Sequence, residues 1–480
     1  MSTSPEQRLL AAGLPPSTLL LPTSSAYTAR ESSYWSATSR LQPAAIITPR
    51  STADVSLAIR ALTSTGQKFA IRSGGHMAWP GSNNVSDGVT LDLGELNGVE
   101  YDAASETVAL GPGARWGEVY RVLHPYGRAV AGGREGNVGV GGLVVGGGNT
   151  YFTARLGFAC DNVVEFEVVL ADGGVVRASK DGEYADLFTA LKGGGNNFGV
   201  VTQVRMTAIP CDKVWGGMAI YGHDQMSGAI EATVDFTENV AKDVDSNLVT
   251  LLTYTPTFGA TVAAAMFVQV AGVEKAPAYD KWLAMKEMVT TAKMTTLHEL
   301  ANDYKIPADY YATWFTLSVK NDASILTKVS ELHDGVVADL HAFIPESDFI
   351  TQCVLQPLPR LFAERSVAAG GNMLGIENHA HDGILLLMVA MVKKEEQHAF
   401  AYAKVKRWTE QIREFAATVE DSLLEWTYLN YADKSQDPLS SYGEENVKTI
   451  KEVAAKYDPN GVFQTLCPGG FKVSHVTTRG

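Results

Sequence analysis

The sequence predicts an α+β protein of two or three domains. Three observations predict it. The chain has 480 residues, more than one ordinary core accommodates. Its texture changes along its length: rich in glycine and short β-like runs from about Leu41 to Pro210, built of apolar strands and long amphipathic helices from about Cys211 to Glu420, and compact and aromatic from about Asp421 to Gly480. In the middle zone strands and helices come in blocks, which fits an antiparallel sheet covered on one side by helices. No internal repeat or low-complexity stretch is present.

The elements follow in order. Ile46-Ile47-Thr48-Pro49 precedes Ser51-Thr52-Ala53-Asp54, a capping-box pattern with a hydroxyl at the cap and a carboxylate three residues on. The helix behind it puts Val55, Ile59 and Leu62 on one face. Phe69-Ala70-Ile71 reads as a buried strand running into Arg72-Ser73-Gly74-Gly75-His76, with further strands at Val89-Thr90-Leu91 and Thr107-Val108-Ala109-Leu110. Phe166 to Leu170, Ala171-Asp172-Gly173-Gly174 and Val175-Val176 read as a hairpin with an Asp-Gly turn. In the middle zone, Leu248 to Tyr254, Val262 to Val270 and Ile384 to Val392 are expected strands. Tyr279 to Lys293, Ala323 to Leu340 and Glu395 to Val419 are expected helices.

Composition narrows the function. Hydrophobic residues at 45% and charged residues at 19% describe a globular chain, and a net charge of −14 argues against nucleic acid, whose binders need a basic footprint. The apolar run Ile384 to Val392 is too short to span a bilayer, and Pro15 and Pro16 interrupt the N-terminal leucines with no basic stretch before them. No membrane partner and a cytoplasmic location are expected. Cys160, Cys211, Cys353 and Cys467 are widely spaced, so buried free thiols are expected rather than a zinc site or disulfides. Asn84-Val85-Ser86 is a glycosylation sequon, expected to be idle. Oligomeric state is not legible.

Glycine clusters at Gly74-Gly75, at Gly139, Gly141, Gly142, Gly146, Gly147 and Gly148, and at Gly193-Gly194-Gly195 with Asn196-Asn197-Phe198-Gly199 following. Main chain lines a phosphate only where no Cβ intrudes. Three such loops point to a large diphosphate-bearing ligand approached from several sides; tight turns alone are the alternative. Gly139-Val140-Gly141-Gly142-Leu143-Val144 fails the dinucleotide G-x-G-x-x-G spacing at its last position, and no P-loop lysine pattern exists.

Arg72-Ser73-Gly74-Gly75-His76, Gly111-Pro112-Gly113-Ala114-Arg115-Trp116, Val138-Gly139-Val140-Gly141-Gly142, Asn196-Asn197-Phe198-Gly199-Val200-Val201-Thr202, Asn430-Tyr431-Ala432-Asp433 and Lys456-Tyr457-Asp458-Pro459-Asn460-Gly461-Val462-Phe463 occur in that order. The set resembles the berberine-bridge-enzyme-like branch of the vanillyl-alcohol-oxidase/PCMH flavoproteins, from about Tyr34 to Phe471. Gly81 after Trp79-Pro80 and the tail Pro468-Gly469-Gly470-Phe471-Lys472 look most like fungal members. The resemblance implies a PCMH-type FAD-binding domain of two α+β subdomains, from residues 1–213 and 421–480, and a substrate domain at 214–420 whose antiparallel sheet and helices roof the flavin. It implies FAD attached through His76. Cofactor contacts carried over with the motifs are Arg72, Ser73, Gly74, Gly75, Met77, Val138, Gly139, Gly141, Gly142, Gly146, Asn149, Asn197, Gly199, Val200, Val201 and Asn430.

Departures limit the inference. Bicovalent members carry a cysteine where this chain has Glu135, so no cysteinyl bond is expected. Plant members carry a histidine at the position of Leu143 and a tyrosine at that of Ala78, so their ring-closing chemistry does not carry over. Val138 resembles the gatekeeper that leaves O2 a path, with a packing valine as the alternative. The implied reaction removes a hydride from a small alcohol, amine or secondary metabolite, with O2 reduced to H2O2. A dehydrogenase or oxidative cyclase that reacts poorly with O2 is the alternative. Candidate catalytic residues are Tyr428, Tyr431, Tyr151 and Arg134; on a strand, Tyr428 and Asn430 would share a face. Glu135, Glu377 and His379 are candidate substrate contacts. The run Glu377-Asn378-His379-Ala380-His381-Asp382 stays open between pocket wall, solvated loop and metal site, and no metal is assigned.

Overall fold

The computed structural model describes residues 4–476; residues 1–3 and 477–480, at the ends of the two expected flanking segments, lie outside it. Three sheets organise the chain. The first has four strands in the order Leu19–Leu20, Ala45–Ile47, Val89–Asp92, Phe69–Arg72, and the last three run parallel. The helix Thr52–Ser64 covers it with Val55, Ile59 and Leu62 fully buried. Its cap differs in one detail: Ser51 Oγ accepts from Asp54 N, but the Asp54 carboxylate accepts from Arg50 N, one residue ahead of the cap.

The second sheet is antiparallel, ordered Val99–Asp102, Thr107–Leu110, Val200–Thr207, Val163–Val169, Val175–Ser179. Its last two strands are the expected hairpin, with Gly173 at φ +82° in the turn.

The third sheet is antiparallel with nine strands, from Val214–Tyr221 to Leu423–Leu424, the latter just beyond the expected boundary at 420. Ser246–Tyr254, Thr261–Gln269 and Gly383–Val392 form as expected, as do the helices Ala323–His341 and Glu395–Ala416. The helix expected from Tyr279 to Lys293 does not form. Only Asp280–Leu283 is α-helical, and Val289–Thr290 and Lys293–Thr295 pair instead with Val214–Tyr221. The β-branched run Val289-Thr290-Thr291 fits an edge strand better than a helix.

Period-two alternation divides this sheet into two faces. Phe315, Leu317, Leu386 and Met388 join the core that includes Ala401, Val405, Trp408 and Ile412 of the helix Glu395–Ala416. Ala312, Trp314, Leu387, Val389 and Met391 form a separate cluster with Trp35 and Ala78 of the first part of the chain. The sheet thus turns one face to its own helices and the other to the rest of the molecule. The tail returns to the first part, where Asn197 Nδ2 donates to Phe471 O and Tyr457 OH to Asp186.

The four cysteines are buried free thiols. The sequon asparagine Asn84 is fully buried and its amide donates to Glu31, Ser39 O and Leu41 O, so it is a packing element. No helix among the described residues is long and apolar enough to cross a membrane.

Candidate active site

A cavity of about 290 Å³ opens where the first part of the chain, the tail and the inner face of the large sheet meet. Its floor begins at the end of the strand Phe69–Arg72. Arg72 is itself buried behind the cavity wall. It pairs with Asp92 at 3.3 Å, donates to Arg30 O and Ser33 Oγ, and lies 3.7 Å over the Tyr34 ring. That anchor fixes where Ser73, Gly74, Gly75 and His76 leave the strand. Gly75 takes φ +65°, and a Cβ on Gly74 would stand 2.5 Å from Gly139 N, so two main-chain segments touch there without side chains between them. A Cβ on Gly142 would meet nothing within 4 Å.

His76 is the enclosed group of this floor. Its ring stacks on Trp35 at 4.8 Å, with Trp314 edge-on at 6.3 Å. Neither ring nitrogen has a hydrogen-bond partner, although both are shut off from solvent. Burial, reinforced by the Arg115 charge, pulls the pKa down to about 3, so the imidazole is neutral. Buried polar atoms without partners are rare in folded proteins and mark a missing group.

Across the cavity, Tyr428 and Tyr431 meet edge to face at 4.8 Å. Tyr428 caps a single 3-10 turn, Leu429–Tyr431, that ends on Tyr431, so the pair does not sit on a strand. The turn still brings Asn430 beside Tyr428: Asn430 Nδ2 donates to Leu143 O at 3.0 Å and to the Tyr428 hydroxyl at 3.3 Å. The Tyr428 oxygen also accepts from Asn149 N at 2.7 Å, and burial pushes its pKa up. The Tyr431 oxygen accepts from Arg134 Nη2 at 3.1 Å and its proton faces Gln356 Oε1 at 3.3 Å. Glu135 Oε2 accepts from Asn137 N, its Oε1 has no partner, and burial raises its pKa.

The cavity wall therefore collects Ser73, Gly74, Gly75, His76, Met77, Arg134, Glu135, Val138, Gly139, Gly141, Gly142, Asn149, Gly199, Val200, Val201, Tyr428, Asn430 and Tyr431. Other expected site residues stand behind it. Asn197 ties Gly194 O to the tail, and Gly146 makes room for Asn430, whose Oδ1 would lie 1.6 Å from a Cβ there. Tyr151 is buried and donates to Arg134 O, so it supports the arginine from outside the wall. Glu377 and His379 lie off the cavity: Glu377 is exposed on the 3-10 turn Ile376–Asn378, and His379 packs edge-on against Trp426. No cluster of potential metal ligands is present among the described residues. Trp35, Trp314 and Gln356 were not foreseen: Trp35 comes from a loop between the helix Ser25–Ser32 and the 3-10 turn Ala37–Ser39, and the strand patterns holding Trp314 and Gln356 do not say which groups those side chains meet.

These residues fit a flavin nucleotide on three structural grounds: main chain bare of side chains, open space beyond Gly142, and an enclosed neutral imidazole lacking partners. Comparison with known proteins agrees. Residues 43–179 match the FAD binding domain family. An FAD-dependent monooxygenase of Aspergillus calidoustus is 37% identical over 92% of this chain and 85% of that protein. Among solved structures, a BBE-like protein of Physcomitrella patens superposes with a TM-score of 0.78 at 19% identity, covering 99% of this chain and 100% of the other. A carbohydrate oxidase from Microdochium nivale superposes with a TM-score of 0.75 at 21% identity, covering 98% and 100%.

Proposed function

Because the chain belongs to the berberine-bridge-enzyme-like FAD-linked oxidoreductases, as a fungal-type member, we propose that it holds FAD covalently through His76 alone and works as an oxidase. Its substrate is a small alcohol, amine or secondary metabolite, which loses a hydride while O2 becomes H2O2. FAD bound in the cavity supplies the two-electron acceptor that no side chain can provide.

The observation that carries this reading is the imidazole at position 76. A ring held neutral keeps the nitrogen lone pair that covalent attachment needs, and with both nitrogens unpartnered nothing competes for it. Around it the chain divides the remaining work. Gly74 and Gly139 let two main-chain segments of the floor touch, and Gly142 leaves bare main chain facing open space for the cofactor. Tyr431 is the proton handler, since its oxygen is held by a cation and its proton has an acceptor. Tyr428, saturated by Asn149 N and Asn430, is scaffold, and Tyr151 positions Arg134. The Glu135 carboxyl, its pKa raised by burial, is a second group able to take a proton, at the unpartnered Oε1. Val138 lines the cavity and offers O2 a small wall.

Acid precipitation tests the attachment. The wild-type pellet is expected to be yellow and the His76→Ala pellet colourless. Yellow left in the wild-type supernatant refutes a covalent bond. A second reading is favoured by the name of another relative, a bifunctional solanapyrone synthase of Alternaria solani that is 30% identical over 93% of this chain and 85% of that protein, a synthase rather than an oxidase. Here the chain would be a dehydrogenase or oxidative cyclase with poor O2 reactivity. Slow reoxidation of the reduced protein in aerated buffer supports that reading, and stoichiometric H2O2 supports the first.

A further inference from the structure

Arg134 carries an unbalanced charge into the cavity. Its guanidinium reaches the inner face of the nine-stranded sheet, where Nη2 donates to Gln356 Oε1 and, at 3.1 Å, to the Tyr431 hydroxyl. Both acceptors are neutral. No carboxylate pairs with it among the described residues. Glu135, its neighbour in the chain, is engaged elsewhere: Oε2 accepts from Asn137 N at 2.7 Å, and the cation that acts on it is Arg115. The Gln356 amide cannot reverse to help, because Arg134 and Tyr431 both donate to its oxygen. Arg72 and Lys192, by contrast, each have an aspartate, Asp92 at 3.3 Å and Asp161 at 3.6 Å. Leaving a cation partly desolvated with no counter-charge is unfavourable, and an anionic ligand reverses that cost.

We infer that the substrate is an organic oxyanion, a carboxylate or the conjugate base of an acidic enol or phenol, bound by Arg134 with its apolar remainder against Trp314, Ile306 and Leu143. Gln356 is a positioning residue that fixes the guanidinium. The inference rests on the reading of this cavity as the flavin-linked site.

The holoenzyme is titrated at neutral pH with benzoate against benzamide and with dimedone against its enol methyl ether, while the visible flavin band is followed. At least one anion is expected to bind about tenfold or more tightly than its neutral counterpart, as a charge-assisted bond provides. Which pair discriminates tells carboxylate from enolate. Arg134→Gln is expected to erase the discrimination. Gln356→Glu, which sets a carboxylate against the guanidinium, is expected to do the same while cofactor content and thermal midpoint hold. Equal affinities within both pairs, no response to either anion, or discrimination that survives Arg134→Gln overturns the inference. Survival together with a lowered flavin potential would assign the guanidinium to the cofactor ring. A wild type that purifies colourless fails the reading of His76; a yellow wild type indifferent to ligand charge fails this inference alone.

Discussion

The hydroxyls of Tyr428 and Tyr431 lie in one wall, yet their bonding separates their roles. The Tyr428 oxygen accepts from a backbone N–H at 2.7 Å, and burial disfavours its ionised form. The Tyr431 oxygen is held by Arg134 and its proton by Gln356. Tyr431→Phe removes a hydroxyl that can exchange its proton with the substrate, giving up its own as it accepts the substrate's, and flavin reduction under anaerobic conditions is expected to slow by about 10²–10⁴-fold. Tyr428→Phe leaves Asn149 N unsatisfied inside the protein, at about 1–3 kcal/mol of stability. Rapid-mixing measurements of the two variants, with calorimetry alongside, check the split. Equal slowing by both would reject it. The motif residues from Ser73 to His76 and from Val138 to Gly142 were legible because bare main chain needs glycine at fixed places. Gln356 was not, since its partners stand 222 and 75 residues away and nothing local marks it.

At the level of the element, the glycine segments divide into those that meet protein and those that meet the ligand. On Gly74 a Cβ would lie 2.5 Å from Gly139 N and 2.6 Å from Gly139 Cα, backbone atoms that cannot step aside. On Gly142, inside the short helix Val140–Val145, it would meet only open space. Gly74→Ala is therefore expected to lower both thermal stability and flavin content. Gly142→Ala is expected to keep the fold, gaining up to about 1 kcal/mol in helix propensity, and to lose flavin. The ratio of flavin to protein absorbance, set against the thermal midpoint, checks the contrast; a Gly142→Ala protein with full flavin content refutes the cradle. Element type was legible where apolar spacing ran long, as in Gly383–Val392 and Ala323–His341. It failed from Tyr279 to Lys293, where strand pairing with Val214–Tyr221 outweighed a helix-like spacing that local sequence could not weigh against it.

Across the whole molecule, buried histidines join the domains' interiors to the pH of the solution. His333, on the helix Ala323–His341, bonds Thr351 Oγ1 of the large sheet at 2.8 Å and stacks 4.7 Å from Trp408 of the helix Glu395–Ala416. Burial holds its pKa down at about 3, and that of His379 at about 4. Both are neutral in the folded chain and titrate near 6.5 when unfolded. Between those values the unfolded state binds more protons, so stability rises with pH there: it is fully present above about pH 6.5 and is lost as pH falls toward the folded values. One such group removes a few kcal/mol by pH 4 at about 1.4 kcal/mol per unit. The thermal midpoint is therefore expected to fall steadily from pH 6.5 to pH 4. His333→Phe keeps the stacking on Trp408 but leaves the Thr351 hydroxyl without its partner. Its midpoint is expected to be lower at pH 7.5 and to fall less steeply on acidification. A variant whose midpoint falls as steeply as the wild type's would mean that His333 is not the proton-linked group, and that other groups, His379 and the carboxylates among them, set the acid limit of the substrate-domain core.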